Sequence, residues 1–447
     1  MRRIFSAALL IFFALSAVPA EAFWPFDGPS RKKDVRVVTV PAPQDRPALT
    51  LEQSYRLALK RSESLAIEET DMGLAQARFY RAFKYFLPDV YWQTTRTERD
   101  VERDSGGVAG IGGDARRRVT PQDQFVFSQP LFSGFRELAA LRGSGADKAQ
   151  QKMEYERAKQ LLYVDVVDAY CAALQSMRDV EILRSTHRLL AERMKDLGER
   201  VRLGRSRESE AKTSLADLKL IEADLVSARS AAKAARNLLE FYIGEVIGDR
   251  MLAELSATAV PGELAEHLPK AARRADVLAA KEAETLAAQA ITSARAGFLP
   301  SASLDGNYYT RRVGFNEGND WDVTLKAVIP IFDAGETLGD MKEAGTLHRA
   351  AVLRAQQTRR RAELEIRNAF EEYRAALAQR AVLTSAAQAN RANYDIQAKE
   401  YSFNLVNNLE VLDSLRRYEE VERRRNTAEY EAQRAYVRFR AATGEIS

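Results

Sequence analysis

Gln129-Pro130-Leu131-Phe132-Ser133-Gly134-Phe135 returns 200 residues later as Ile329-Pro330-Ile331-Phe332-Asp333-Ala334-Gly335. In both places an apolar run rich in β-branched and aromatic side chains ends at small residues, and a long proline-free stretch begins. The match extends in both directions. Phe86-Leu87-Pro88 returns as Phe298-Leu299-Pro300, Leu162–Tyr170 (LYVDVVDAY) aligns with Ala362–Phe370 (AELEIRNAF), and no gap is needed as far as Glu210 and Glu410. A duplication of this length is architectural, because each copy leaves a hydrophobic face for its neighbour to cover.

Each copy reads as helix, two strands, a very long helix and a returning helix. In the first, a helix opens after Leu49 with Thr50 as N-cap and runs to about Phe86, before Pro88. Strands are expected over about Asp89–Arg99 and Gln124–Phe132, with the glycine-rich run 106–113 as a flexible loop between them. The next helix runs to about Leu197, some 64 residues, which span roughly 95 Å. After a turn over Gly198–Ser206, a helix returns to about Ile243. In the second copy the helix spans about Glu263–Ala296, the strands Ser301–Arg311 and Trp321–Phe332, and the long helix Gly335–Glu400. A turn at Phe403–Asn408 then leads to a last helix ending near Ala442. The domain plan is therefore a first repeat over residues 49–243, a linker at 244–262 and a second repeat over 263–447. Ahead of these, residues 1–22 read as a signal peptide, with Arg2-Arg3, an apolar run and Ala20-Glu21-Ala22, and residues 23–48 as an extended, proline-rich lead-in.

The strands alternate. Trp321, Val323, Leu325, Ala327 and Ile329 interleave with Asp322, Thr324 and Lys326, and Ala302, Leu304, Gly306 and Tyr308 with Ser303, Asp305 and Asn307. One face meets an apolar medium and the other water, over a length that crosses a bilayer when tilted. Hairpins on a soluble core would give the same alternation. No helical window is apolar enough to span a membrane, so any crossing is made by strands. Four strands cannot close a barrel, since small barrels need about eight, and open edges are not tolerated in lipid. Helices near 100 Å likewise bury their apolar stripes only side by side, as in a bundle or cylinder. A closed ring of chains satisfies both. The paired prolines are 42 residues apart in the first copy and 30 in the second, and the extra length falls in the hairpin loop, which is expected to face solvent.

Taken together, the tandem repeat, the two F-L-P steps, the signatures QPLFSGF and IPIFDAG, and the turn Tyr401–Asp413 (YSFNLVNNLEVLD) resemble the outer-membrane efflux protein (TolC) family over Leu49–Gly444. The resemblance implies an α+β membrane protein: a long α-helical coiled-coil tunnel in the periplasm below a transmembrane β-barrel shared by three chains, each giving four strands. It implies an exit duct in the cell outer membrane, working with a periplasmic adaptor and an inner-membrane pump or ABC-type exporter. A periplasmic coiled-coil adaptor or scaffold without a pore is the alternative, and it should lack alternating strands of bilayer length.

Family turns carry Tyr-x-x-Gly-x-Arg followed by two acids. Here Tyr401 fits, Asn404 stands for the glycine, Val406 for the arginine, and Glu410 and Asp413 for the acids. In the first copy Val201 holds the tyrosine position, Gly204 the glycine and Glu210 an acidic position, with Arg205 or Arg207 a substitute cation. By this resemblance Glu210, Glu410 and Asp413 are candidate pore-end acids, and Val201–Arg207 and Tyr401–Asn408 candidate gating and adaptor-docking turns. An ordinary solvated helix face would also place Glu410 and Asp413 three apart. Trp92, Tyr308, Tyr309 and Trp321 are candidates for the lipid–water interface, with core packing the competing reading.

The sequence offers no catalytic constellation. His187, His267 and His348 lack metal-ligand spacing, and the glycine-rich run leads into a strand instead of a helix. No cofactor or metal is expected. The single cysteine, Cys171, reads as a small core residue. A net charge of +4, with both signs mixed along the helices, shows no nucleic-acid-binding stripe.

Overall fold

The computed structural model describes residues 48–98, 119–248, 250–255, 259–313 and 318–446. The expected signal peptide, nearly all of the 23–48 lead-in and the glycine-rich run 106–113 lie outside the described residues. Among the described residues the elements are α1 (Leu51–Arg61), α2 (Glu63–Ala82), β1 (Asp89–Glu98), β2 (Val119–Ser133), α3 (Arg136–Arg202) and α4 (Glu208–Ile243). The second half contributes α5 (Leu264–His267), α6 (Ala275–Arg295), β3 (Ser301–Arg312), β4 (Trp321–Val328), α7 (Glu336–Ser402) and α8 (Asn408–Thr443), with short 3-10 turns between. The duplication holds to the residue: α3 and α7 each have 67 residues, α4 and α8 each 36. At 1.5 Å per residue the long pair reach about 100 Å. No helix among the described residues is long and apolar enough to cross a membrane.

The first helix of each copy is interrupted, where an unbroken helix was expected. Ser62 (φ −68°, ψ 116°) separates α1 from α2, and Arg274 (φ −63°, ψ 145°) separates the 3-10 turn Leu268–Arg273 from α6. Neither is a proline or glycine. Ser62 Oγ accepts from the Leu65 N–H, capping the restarted helix. Arg274 is held extended by tertiary partners: its guanidinium bonds Asp276 and Glu365 and donates to the Ala442 carbonyl. At the other end, α3 runs through Gly198 to Arg202, because α4 and the second copy's helices pack along it, and that burial outweighs roughly 1 kcal/mol of glycine penalty.

The strand-to-helix junctions explain the sequence that opened the comparison. Gly134 and Phe135 have φ of 69° each, and Ala334 and Gly335 φ of 54° and 89°. Two successive left-handed residues reverse the chain from sheet to helix, and each copy provides glycine for one of the two. A Cβ on Gly134 would also stand 2.8 Å from the Ala296 carbonyl oxygen, so the two copies touch at this corner. In the second copy Asp333 caps α7, accepting from the Gly335 and Thr337 N–H groups at 3.0 and 2.9 Å.

The strands form one antiparallel sheet in the order β1-β2-β3-β4. Asp89 pairs with Ser128 as Ser301 pairs with Val328, so both hairpins share one register. β2 is longer than expected. It starts at Val119 and keeps Gln129–Ser133 in the sheet by pairing with β3 across a register shift at Leu131. β4 is shorter, ending at Val328, although Ile329–Phe332 was expected to continue it. The reason is position: β4 is an edge, and its outer side has no neighbour among the described residues. Ile331 and Phe332 are 96% and 88% exposed.

The packed core lies where the two copies meet. Val167, Tyr170, Cys171 and Leu174 of α3 bury against Leu239 and Ile243 of α4, Leu49, Leu252, and Tyr430 and Val437 of α8. Ile366, Phe370 and Tyr373 of α7 bury against Phe439 of α8. Tyr170 Oη lies 2.7 Å from both the Leu49 and Ala253 carbonyls, fastening the parallel bridge between Leu49 and Leu252. Burial pushes the Cys171 thiol up to about 12, consistent with an inert core residue.

Candidate sheet face and pore-end turns

Because directly opposed residues in antiparallel strands share a face, the register sorts the aromatic residues. Trp92 faces Phe125, Phe125 faces Tyr308, and Tyr308 faces Trp321: one row across all four strands. Each is about half exposed, and the Trp92 and Phe125 rings meet edge-on with centroids 4.9 Å apart. Val90, Phe127, Gly306 and Val323 form the next row on the same face. Phe125 completes the aromatic row, and the sequence reading missed it. The alternation Phe125-Val126-Phe127 carried the signal only once the neighbouring register was known.

Tyr309 belongs to the other face and so leaves the aromatic set. Its hydroxyl donates to Asp322 Oδ2 at 2.6 Å, with the Arg312 guanidinium 4.0 Å from its ring centroid. Around it that face is polar: Asn307 Nδ2 donates to Asp322 Oδ1 (2.8 Å), and Ser128 and Ser303 donate to Asp305 (2.6 and 2.9 Å).

At the far ends of the long helices the two turns share one backbone. Gly204 and Asn404 are both left-handed (φ 71° and 59°). The Arg205 N–H bonds the Arg200 carbonyl, and the Leu405 N–H the Glu400 carbonyl, at 2.8 and 3.0 Å. These are Schellman closures, and asparagine fills the glycine position because it tolerates this region. The Gly204 N–H also bonds the Val201 carbonyl, and Val201 is half-buried in the last turn of α3.

The side chains differ between the turns. On the first, Arg205 and Arg207 are exposed, and among the described residues neither side chain makes a hydrogen bond or ion pair. Among the described residues neither meets a partner on the second turn. Glu210 accepts from Ser206 Oγ at 2.6 Å. On the second, Val406 is half-buried, while Phe403, Leu405 and Leu409 are exposed by 64%, 72% and 63%. Asn407 caps α8, accepting from the Glu410 N–H (3.0 Å) and donating to the Glu410 carboxylate (2.9 Å). Asp413 pairs with Arg417 at 2.9 Å. Glu410, Asp413 and Arg417 all lie on the exposed side of α8, opposite buried Val411, Leu412 and Leu415, so Arg417 offsets part of the acidic charge.

The cations that do reach the second turn come from the body of α3. The Arg193 and Arg200 guanidiniums lie 4.1 and 4.6 Å from the Tyr401 ring centroid. Arg193 Nε donates to Asn408 Oδ1 at 2.7 Å, Arg200 Nη1 to Asn404 Oδ1 at 3.0 Å, and Asn408 Nδ2 to Ser214 Oγ at 2.9 Å. Arg416 pairs with Asp217. Burial pulls the Arg193 pKa below its ordinary value. Sequence reading overlooked Arg193 because it searched the turns, and on a helix face an arginine has no local signature; Arg200 reads there only as one of the arginines crowding the first turn. Among the described residues no cluster of His, Cys, Asp or Glu suited to a metal ion is found.

Residues 270–445 match the family described as Outer membrane efflux protein. The chain is 23% identical over 341 residues to outer membrane protein TolC of Vibrio cholerae serotype O1, covering 72% of this chain and 76% of that one. It is 24% identical over 316 residues to the alkaline protease secretion protein AprF of Pseudomonas aeruginosa, covering 67% and 65%. The crystal structure of the outer membrane protein VceC from Vibrio cholerae superposes with a TM-score of 0.76 at 20% identity, covering 88% of this chain and 96% of that one. With the duplicated strand–long-helix layout, these matches show that residues 270–445 carry the outer membrane efflux protein pattern and that the chain has the fold of the outer-membrane channels it superposes on.

Proposed function

We propose that this protein is the outer-membrane exit duct of a tripartite efflux or type I secretion system, passively conducting substrates from a periplasmic adaptor and an inner-membrane pump to the exterior. The observation that carries this reading is the open four-stranded sheet, apolar with an aromatic row on one face and polar on the other, joined to two helices of about 100 Å. The apolar face meets lipid, the row Trp92–Phe125–Tyr308–Trp321 lies at an interface, and the polar face with Asp305 and Asp322 lines the passage. The helices form the periplasmic tunnel, and the exposed turns are where an adaptor docks. Such a duct moves solutes down a path opened by its partners and does no chemistry of its own.

A closed ring of three chains is supported by the duplication, which supplies a partner for each edge strand. The β2–β3 pairing, carried over by the repeat, joins β4 to β1 of the next chain, so Ser128 opposite Asp305 becomes Val328 opposite Gln93 of the neighbour. The same operation gives Ile329–Phe332 the partner it lacks within one chain. Cysteines at Val328 and Gln93 should yield covalent trimers on non-reducing gels of outer-membrane extracts. Moving the second cysteine from Gln93 to Thr94, on the other face, should not. A soluble periplasmic monomer with no crosslinked product would overturn the reading.

A further inference from the structure

We propose that His267 is a proton-operated release in the second copy: when its ring takes up a proton, Lys270 lets go of Glu445, and the 3-10 turn Leu268–Arg273 comes away from the end of α8. The inference concerns how this copy is fastened and stands apart from the duct reading.

Lys270 Nζ lies 3.0 Å from His267 Nδ1 and 2.5 Å from Glu445 Oε1, so one ammonium joins the ring, the turn and the residues that follow α8. An ammonium only donates, so Nδ1 accepts, and the neutral ring carries its hydrogen on Nε2. Nε2 is buried and has no hydrogen-bond partner among the described residues. Phe439, edge-on with centroids 4.8 Å apart, and Phe370 at 6.2 Å hold the ring in place. A proton on Nδ1 removes the acceptor and sets a second cation 3.0 Å from the ammonium. The other charges around the ring favour that proton. Glu263 and Glu266 belong to its own segment, and a Cβ on Gly262 would stand 2.8 Å from Glu266 Oε2 and 3.9 Å from His267 Nε2, so that carboxylate is near the unpartnered side of the ring. On α7, Arg374 is 5.7 Å from the Phe370 ring centroid but pairs with Glu371 at 3.8 Å. On α8, Arg440 donates to the Glu445 carbonyl at 2.7 Å. Lys270 first, and Thr443 after it, hold the Glu445 carboxyl below the usual carboxylate range, so it stays charged while a histidine titrates. The first copy is fastened differently. Aligned on the F-L-P steps, Tyr55 stands for His267, Ala58 for Lys270 and Arg61 for Arg273, and Glu245 stands for Glu445. There Arg61 makes the tie, to Glu245 at 3.2 Å and to the Gly244 carbonyl at 2.7 Å, and a guanidinium keeps its charge throughout. Acid therefore loosens one copy and leaves the other fastened.

Amide exchange on the full-length protein, expressed at each pH as protection over an unstructured chain, reads the tie in segments 268–273 and 440–446. In the wild type, protection there should fall roughly three- to five-fold, the loss of one partly exposed ion pair, as the pH drops from about 7.5 to about 5.5. The midpoint should lie in the histidine range, at about pH 6.5. Segments 55–62 and 240–246, tied by Arg61, should not change. His267→Gln, whose carboxamide oxygen still accepts from Lys270 and takes up no proton, should keep full protection at the lower pH. Lys270→Met should show low protection at both pH values and no step. His187→Gln and His348→Gln should retain the wild-type step. If His267→Gln loses protection at both pH values, the wild-type midpoint and the absence of a step in Lys270→Met decide. No step in the wild type, as when the imidazolium simply takes over Glu445, would overturn the proposal. A midpoint below about pH 4.5, where carboxylates titrate, would assign the loss to Glu445 itself and overturn it too. An unchanged step in His267→Gln would have the same consequence.

Discussion

Arg274 shows how one side chain fixes a feature that no local preference would produce. Its side chain is 1% exposed, yet it is charged, and Asp276 and Glu365 lie 2.7 Å from Nη2. Burial alone would raise the Asp276 pKa, but the Arg274 guanidinium, with Arg157 behind it, holds the carboxyl below the usual carboxylate range. A depressed carboxylate contributes stability above its unfolded pKa and loses it as pH falls through the folded value. Arg274→Met should thus cost about 2 kcal/mol, since it strands two half-buried carboxylates that solvent partly screens. It should also flatten the acid limb of the thermal midpoint plotted against pH, measured by circular dichroism. Gly134 is fixed by space and by φ together. Gly134→Val demands a left-handed valine, at about 1–2 kcal/mol, and drives its Cβ into the Ala296 carbonyl. The expected result is a lower yield of heat-modifiable protein in the outer membrane, with the residual fraction melting earlier.

Among the elements, the long helices depend on tertiary packing along their length and on local chemistry only at their ends. Asn407 is the clearest end. Its side chain both accepts from and donates to Glu410, closing the first turn of α8. Asn407→Ala should remove about 1 kcal/mol from that turn. Amide exchange at Glu410 should accelerate roughly five-fold, while amides in the core around Tyr430 stay unchanged. The edge strands pose the opposite problem, because among the described residues the backbone groups on their outer sides have no strand partner. Phe332 contacts little in its own chain and is 88% exposed. Phe332→Asp should leave the helical circular dichroism intact and sharply reduce the trimer fraction on native gels, as expected if a neighbouring chain covers that side chain.

At the level of the molecule, the duplication is exact in the length of the long and returning helices and unequal in chemistry. The hairpins share one register, the turns share one backbone, and the long helices share one length. The first turn nevertheless presents arginines, whereas the second presents Phe403, Leu405 and Leu409. Repetition sets the two long walls of helix, and the copies diverge in what their end turns expose.

Periodicity, the two proline steps and the 200-residue offset determined the element order, the strands and the long helices from the sequence alone, because these are properties of neighbouring residues. The same reading marked Tyr401, Asn404, Val406, Glu410 and Asp413 as a place of interest. It could not place Tyr309 on the polar face, add Phe125 to the aromatic row, break the first helices at Ser62 and Arg274, or stop β4 at Val328. Each of these depends on a partner far away along the chain: a strand register, a carboxylate on another helix, or an edge with no neighbour. The arginines facing Tyr401 are the sharpest case. Arg193 and Arg200 lie more than 200 residues before it, and only the packing of α3 beside α8, next to the turn that follows Tyr401, brings their charge over its ring.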